Sequence, residues 1–341
     1  MKKEIERVYT DFWGDTFTIP QHSSEKHPAY NSLGGSELYT INLFKSVPKQ
    51  IRDKFNIIVS RWIDEVIDPD KHTIYILQDL YTDPMYEHLK GNDWSTDRIS
   101  KVVFVSHWQR EMFQRYGYNI PLDRSLTLHN AVEPVECNKS KWNRVKNTKY
   151  RIVYTSTPQR GLEILFEALR LLRQQRSDFE LHTFSGFDIY GFDANNQPYE
   201  QLFKSLEENE WCINHGVQAN SVVREFLKDN HIFCLPSIWE ETSCMAAMEA
   251  MYGGNLVVVS AYGALPETVA NCGIVYDMPK SHTDHVVILA NLLNHVISTY
   301  HAAETIDLMK FGREYAKRFY SWQHRSHQWK NLLTNLTNQL K

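Results

Sequence analysis

The chain of 341 residues contains no apolar run near the roughly 18 residues that a membrane-crossing helix needs. Its opening stretch, MKKEIERVYTDFW, carries two lysines but no apolar core, so a secretory leader is not expected. Only five cysteines occur, at 137, 212, 234, 244 and 272. None has CxxC spacing, which argues against a structural zinc site and fits reduced thiols in the cytoplasm. Neither a GxSxG nucleophile elbow nor a GxGxxG dinucleotide fingerprint is present. Positive charge is not in excess: 37 Lys and Arg face 41 Asp and Glu, for a net charge of −4, so no nucleic-acid partner is expected. His282, His285 and His295 have no matching carboxylate or cysteine set, and Asp68-Pro69-Asp70 reads as a turn, so no metal is assigned.

What the chain does have is alternation. Short β-branched or aromatic runs (ERVYT, FNIIVS, TIYIL, KVVFVS, SLTLH, RIVYTS, ELHTFS, HIFCLP, LVVVS, GIVYD) interleave with helical patterns such as SELYTINLFKSV, HWQREMFQRYG, GLEILFEALRLLRQQ, SVVREFLKDN and VVILANLLNHVISTY. That order predicts an α/β fold with parallel sheets covered on both faces. It breaks once, at EPVECNKSKWNRVKNTKYR, a polar stretch carrying Lys139, Lys141, Arg144, Lys146 and Lys149. We read this as a linker, with Rossmann-like domains at 1–145 and 146–320 facing a central cleft and a final helical segment at 321–341. Its basic face also suits peripheral contact with a membrane.

Ligands of open parallel sheets bind beyond the carboxyl ends of the strands, so the loops there carry the functional reading. In EETSCMAAMEA, Glu241 and Glu249 lie eight residues apart. Thr242 or Ser243 is placed to cap a helix running to about Tyr252. On an ideal helix the two acids stand about 12 Å apart, beyond the roughly 5–9.5 Å of a glycosidase pair. They suit two ends of one long ligand, with an anion at the helix N-terminus between them. In TSTPQRGLEIL, Arg160 stands at the turn into a helix and suits phosphate, with Gly161 allowing close approach. In NSLGGSEL, Gly34-Gly35 precedes Ser36, a candidate N-cap. Gly263 provides a tight turn and Glu267 starts the next helix, expected close to the helix carrying Glu249. His215-Gly216-Val217 precedes a helix, where backbone groups suit a planar base.

These loops in this order resemble the retaining nucleotide-sugar glycosyltransferases of glycosyltransferase family 4, which have the GT-B architecture. The match is most specific at PSIWEETSCMAAMEAMYGGNLVVVSAYGALPE, which looks like the family's E-x7-E block and its following loop. Weaker matches are GGSE, KVVFVSHWQREMFQRYG, LHNAVEP, Arg160-Gly161 and HGV. The closing FYSWQHRSHQWKNLL looks like the helix that returns to the N-terminal domain.

The resemblance implies a retaining, metal-independent hexosyltransferase without a cofactor, using a nucleoside-diphosphate sugar and a glycan or lipid-linked acceptor. By position, Glu241 would contact donor-sugar hydroxyls, the segment Thr242, Ser243, Cys244 and Met245 would meet sugar and diphosphate, and Glu249 would accept from the ribose. Arg160 would neutralise charge on the departing diphosphate, with Gly34 and Gly35 facing it from the other domain and Gly216 and Val217 at the base. The sequence departs from the family pattern in three places. The position upstream of Arg160, usually basic, falls in TST; Ala131 stands where glycine is usual; and the usual N-terminal-domain histidine is not evident. Gln78, Asp79 and His107 are the candidates for that role. A GT-B phosphorylase or epimerase, or a nucleotide-sugar binding protein without turnover, are the alternative readings.

Overall fold

The Val- and Ile-rich runs pair as parallel strands in two separate sheets of a computed structural model, which describes residues 5–12, 14–21, 33–62, 67–94, 99–143, 149–190 and 193–339. The chain opens with an antiparallel hairpin of β1 (Ile5–Thr10) and β2 (Thr16–Gln21), so ERVYT is not part of a parallel sheet. The first parallel sheet orders β3 (Phe55–Val59), β4 (His72–Leu77), β5 (Ile99–Phe104) and β6 (Ser125–Thr127) side by side. Its flanking helices are α1 (Gly35–Ser46), α2 (Lys49–Arg52) and α3 (His107–Arg115).

The second sheet contains β7 (Tyr150–Tyr154), β8 (Phe179–Thr183), β9 (Cys212–Asn214), β10 (Ile232–Leu235), β11 (Leu256–Ser260) and β12 (Ile274–Tyr276). Their spatial order is β12-β11-β10-β7-β8-β9, which reverses between β7 and β10. Such a reversal opens a crevice at the strands' carboxyl ends. The four-stranded sheet has no such reversal among the described residues.

Around the second sheet run α4 (Leu162–Leu172), α5 (Glu200–Glu207), α6 (Asn220–Asp229), α7 (Met245–Tyr252), α8 (Leu265–Val269), α9 (His282–Thr299) and α10 (Ala303–Phe319). Helix α4 buries Leu162, Leu165, Leu169 and Leu172, a 3.6-residue period that seats it on the sheet. β11 (LVVVS) is buried at every position, as a strand covered on both faces requires.

The last helix, α11 (Trp322–Gln339), leaves this core for the other. Trp329, Leu333 and Leu336 pack with Tyr39 and Leu43 of α1, and the Trp329 Nε1 donates to the Tyr39 hydroxyl at 3.0 Å. The position 145/146 lies outside the described residues, but the linker before it is not a free tether. Lys141 and Trp142 are buried, donating to the carbonyls of Gly253 at 2.8 Å and Gly254 at 3.1 Å. Burial of the Lys141 ammonium lowers it to about 8. No single helix is long and apolar enough to cross a membrane among the described residues.

Candidate functional site

Pro236 follows β10, and the residues after it form the floor of the cleft. Helix α7 begins only at Met245, with Cys244 at its N-cap and no side-chain cap bond, so neither Thr242 nor Ser243 caps it. Glu241 therefore sits in the loop before the helix, and the ideal-helix separation from Glu249 does not apply. Thr242 instead donates its Oγ1 to the Gln78 carbonyl of the other domain at 2.7 Å. Ser36 likewise is inside α1 rather than at its cap, because the helix starts at Gly35 with Gly34 as N-cap.

Glu241 is 4% exposed, and Arg160 Nη1 donates to both of its oxygens at 2.9 Å. Two glycines make this arrangement possible. Gly161 has φ +104, and a Cβ there would overlap the Pro236 carbonyl, so only glycine lets the Arg160 turn lie against the end of β10. Gly263 has φ +61, and a Cβ there would stand 2.5 Å from the Glu241 nitrogen and 2.6 Å from its oxygen. The adjacent Ala264 N–H donates to the Glu241 carbonyl at 2.6 Å. The Gly263 loop thus props the Glu241 backbone directly.

Three hydroxyls in the loops at this end of the second sheet, those of Thr157, Ser185 and Ser243, are hidden from solvent with no hydrogen-bond partner among the described residues. Buried polar atoms without partners cost free energy, and of these three Thr157 and Ser185 follow β7 and β8, while Ser243 precedes α7. Across the cleft, a Cβ on Gly35 would meet the Met245 sulfur at 3.4 Å. The loop before Gly35 is tied to α6: Leu33 N–H donates to Asn220 Oδ1 at 2.8 Å and Asn220 Nδ2 returns to the Leu33 carbonyl at 3.2 Å.

Glu249 is 13% exposed and lies 3.5 Å from Arg224, which also bonds Glu133 at 2.8 Å. Burial pushes the Glu249 carboxyl up to about 7; Arg224 opposes this and Glu133 adds to it. Gly216 has φ +62 with open space around it. Its neighbour His215 stacks on Phe184 at 4.4 Å and faces His182, and burial lowers both imidazoles. Val217 lies against Gly186.

Asp79 is engaged within its own domain, where it accepts from the Ser60 and Tyr86 hydroxyls. Gln78 exchanges two bonds of 3.1 Å with Asn130. His107 stands at the first position of α3, and its backbone is held by a residue read from sequence only as the start of a helix. Glu267 accepts from the His107 N–H at 2.8 Å, the Trp108 N–H at 2.9 Å and His129 Nε2 at 2.7 Å. Its carboxylate thus spans the domains and meets the positive end of α3, while its own helix α8 packs beside α7, as the sequence led us to expect. Burial works against its ionisation, but His129 and the two N–H groups outweigh it and hold the carboxyl below its ordinary value.

Replacing Glu267 by alanine is expected to cost about 1.5–3 kcal/mol, the scale of hydrogen bonds to a charged group. A lower melting temperature and faster amide exchange at His107 and Trp108 check this. His107, His129 and Glu267 also bring three ligand atoms within 4.8 Å of one another, a set that could hold a metal ion and that spacing did not reveal. The two N–H groups aimed at Glu267 make this place favour the carboxylate over a cation. A cavity of about 810 Å3, away from these residues, lies between the linker and α10, with Trp142, Lys310 and Arg313 in its wall.

Residues 138–295 match the family model of glycosyl transferases group 1. The MMP alpha-(1->4)-mannosyltransferase of Mycolicibacterium hassiacum is 28% identical over 182 residues, which cover 53% of this chain and 41% of that protein. The match therefore spans less than half the length of that relative. A glycosyltransferase from Rickettsia africae superposes with a TM-score of 0.61 at 14% identity, covering 94% of this chain and 84% of that one. Anabaena HepE in complex with UDP and glucose gives 0.59 at 16% identity, covering 78% and 72%. The chain has the GT-B fold, and its segment 138–295 is similar to the group 1 glycosyl transferases.

Proposed function

We propose that the protein is a retaining glycosyltransferase that moves a hexose from a nucleoside-diphosphate sugar to a glycan or lipid-linked acceptor. The observation that carries this reading is the ion pair between Arg160 and the buried Glu241 at the crevice floor, just before α7. Arg160 supplies a permanent positive charge where a diphosphate would depart, the electrostatic contribution most useful to such a step. Glu241 supplies two acceptor oxygens for sugar hydroxyls. The acceptor oxygen attacks C1 from the face the diphosphate leaves. As the bond to the acceptor forms, the C1–phosphate oxygen bond breaks, and the leaving phosphate oxygen takes the acceptor's proton. Gly35 and Met245 approach from opposite domains and exclude water from the diphosphate. The UDP and glucose held by Anabaena HepE support a nucleotide-sugar donor. The family resemblance supports retention and independence of metal. Anomeric configuration of the product, read by NMR, tests retention, and full transfer in the presence of a chelator tests independence of metal.

Glu249 makes the donor's ribose end pH-dependent. Its folded value of about 7 lies above the ordinary 4.5. It therefore favours the folded chain below about pH 4.5, and this contribution is lost as pH rises toward 7. Ionisation over the same interval turns Glu249 into a better acceptor for ribose hydroxyls. Between pH 5.5 and 8, this residue is expected to lower the melting temperature while tightening UDP binding. Glu249→Gln is expected to remove its share of both slopes, measured by pH-resolved melting and calorimetry.

A further inference from the structure

Glu240 and Glu241 are neighbours in sequence but serve opposite sides of the cleft. Glu241 faces Arg160, whereas Glu240 Oε2 accepts from the Tyr81 hydroxyl of the N-terminal domain at 3.1 Å. Tyr81 is buried, and its ring lies 4.1 Å from that of Tyr116 and 6.3 Å from Trp108. Burial, Tyr116 and Glu240 together raise the Tyr81 phenol, so it remains a donor. The Tyr262 phenol is raised by burial and by the Glu240 charge.

Two aromatic side chains of this region stay open to solvent: Tyr116 is 51% exposed and Trp239 is 46% exposed. Trp239 is not on a loose loop. Its carbonyl accepts from Ser237 Oγ at 2.8 Å, its N–H donates to the same oxygen at 3.2 Å, and the Ser237 carbonyl accepts from Ser260 at 2.7 Å. Exposed aromatic rings on a fixed backbone beside a carboxylate offer a surface for a partner, and the chemistry of that partner is constrained. A pyranose offers apolar C–H faces to the rings and hydroxyl donors to the carboxylate. A phosphate, sulfate or uronate would meet Glu240 with like charge.

We propose that Trp239, Glu240 and Tyr116 form a saccharide subsite for an uncharged pyranose, the acceptor side of the reaction. As an acceptor site it rests on the transferase reading above; as a saccharide site it stands on these residues alone. Trp239 gives the stacking face, Glu240 accepts from a ring hydroxyl, and Tyr81 holds that carboxylate in place.

The test is saturation-transfer NMR on the full chain, with methyl α-mannoside and methyl α-glucoside as probes and mannose 6-phosphate as the anionic comparison. Saturation transfer to a neutral probe is expected in the wild type, reduced at least fivefold in Trp239→Ala, with little signal from the phosphate. Glu240→Gln is expected to weaken the neutral probe and to narrow its margin over the phosphate. A UDP-induced rise in melting temperature, measured on the same samples, reports the donor side separately. That rise without saccharide signal in the wild type overturns the subsite and leaves the transferase reading standing. Saccharide signal without any UDP response upholds the subsite and overturns the donor reading. Undiminished signal in Trp239→Ala, or equal signal from the phosphate, overturns the proposal.

Discussion

Glu241→Gln is expected to lower transfer by about 10²–10³-fold, the scale on which removing one preorganised polar group acts, while the chain stays folded. Glutamine keeps the size of the side chain and one acceptor oxygen for Arg160, so the turn at 158–160 retains its partner. What disappears is the charge and the second acceptor oxygen, both of which Arg160 engages at 2.9 Å. Arg160→Ala differs in kind, because it strands a carboxylate that is 4% exposed. Breaking a fully buried pair this way costs about 3–5 kcal/mol, and less here because Arg160 itself is 27% exposed. Arg160→Ala should therefore lose both activity and melting temperature, and Glu241→Gln mainly activity. Initial transfer rates beside thermal melts separate the two, and wild-type transfer in both variants would sink the assignment.

Gly161→Ala is expected to be the most destabilising single change in the cleft, at about 3 kcal/mol or more. Part of this is the left-handed backbone at φ +104, worth about 1–2 kcal/mol for a residue with a Cβ. The rest is overlap with the Pro236 carbonyl, which is backbone and cannot rotate away. Gly216→Ala provides the control: its φ of +62 is also left-handed, but nothing lies within 4 Å of the added carbon. It should pay only the backbone share. Denaturant unfolding of both variants measures the difference, and equal losses would show that close approach at Gly161 contributes nothing.

The fold was legible because its strands are buried on both faces and spell themselves as Val and Ile runs. Two strands escaped that logic. β9 is the three-residue CIN at a sheet edge, and β2, in the opening hairpin, includes Pro20. Helix α10 also went unread: Gly312 interrupts its pattern, and that glycine is there because a Cβ would meet the Cys272 carbonyl at 2.8 Å. Within the site, spacing singled out Glu241, Arg160 and Glu249 but not their partners. That Arg160 and Glu241 face one another, or that Arg224 bridges Glu133 and Glu249, follows from how β7, α6 and α7 pack. Glu267 illustrates the limit most clearly, since its partners are backbone N–H groups and a histidine more than 130 residues away. Only polar side-chain identity is written in a sequence; the destination of a backbone N–H is not.

The crevice beside α7 is expected to bind a nucleoside diphosphate through Arg160 at the diphosphate and Glu249 at the ribose. Thermal melting against UDP, GDP, ADP and the matching monophosphates tests it most directly. Ligand at 100 times its dissociation constant stabilises the folded chain by about 2.7 kcal/mol, which corresponds to a rise of several degrees. Such a rise is expected for at least one diphosphate, a smaller one for its monophosphate, and a marked loss of the response in Arg160→Ala and Glu249→Gln. No shift with any diphosphate, or an undiminished shift in both variants, would contradict it.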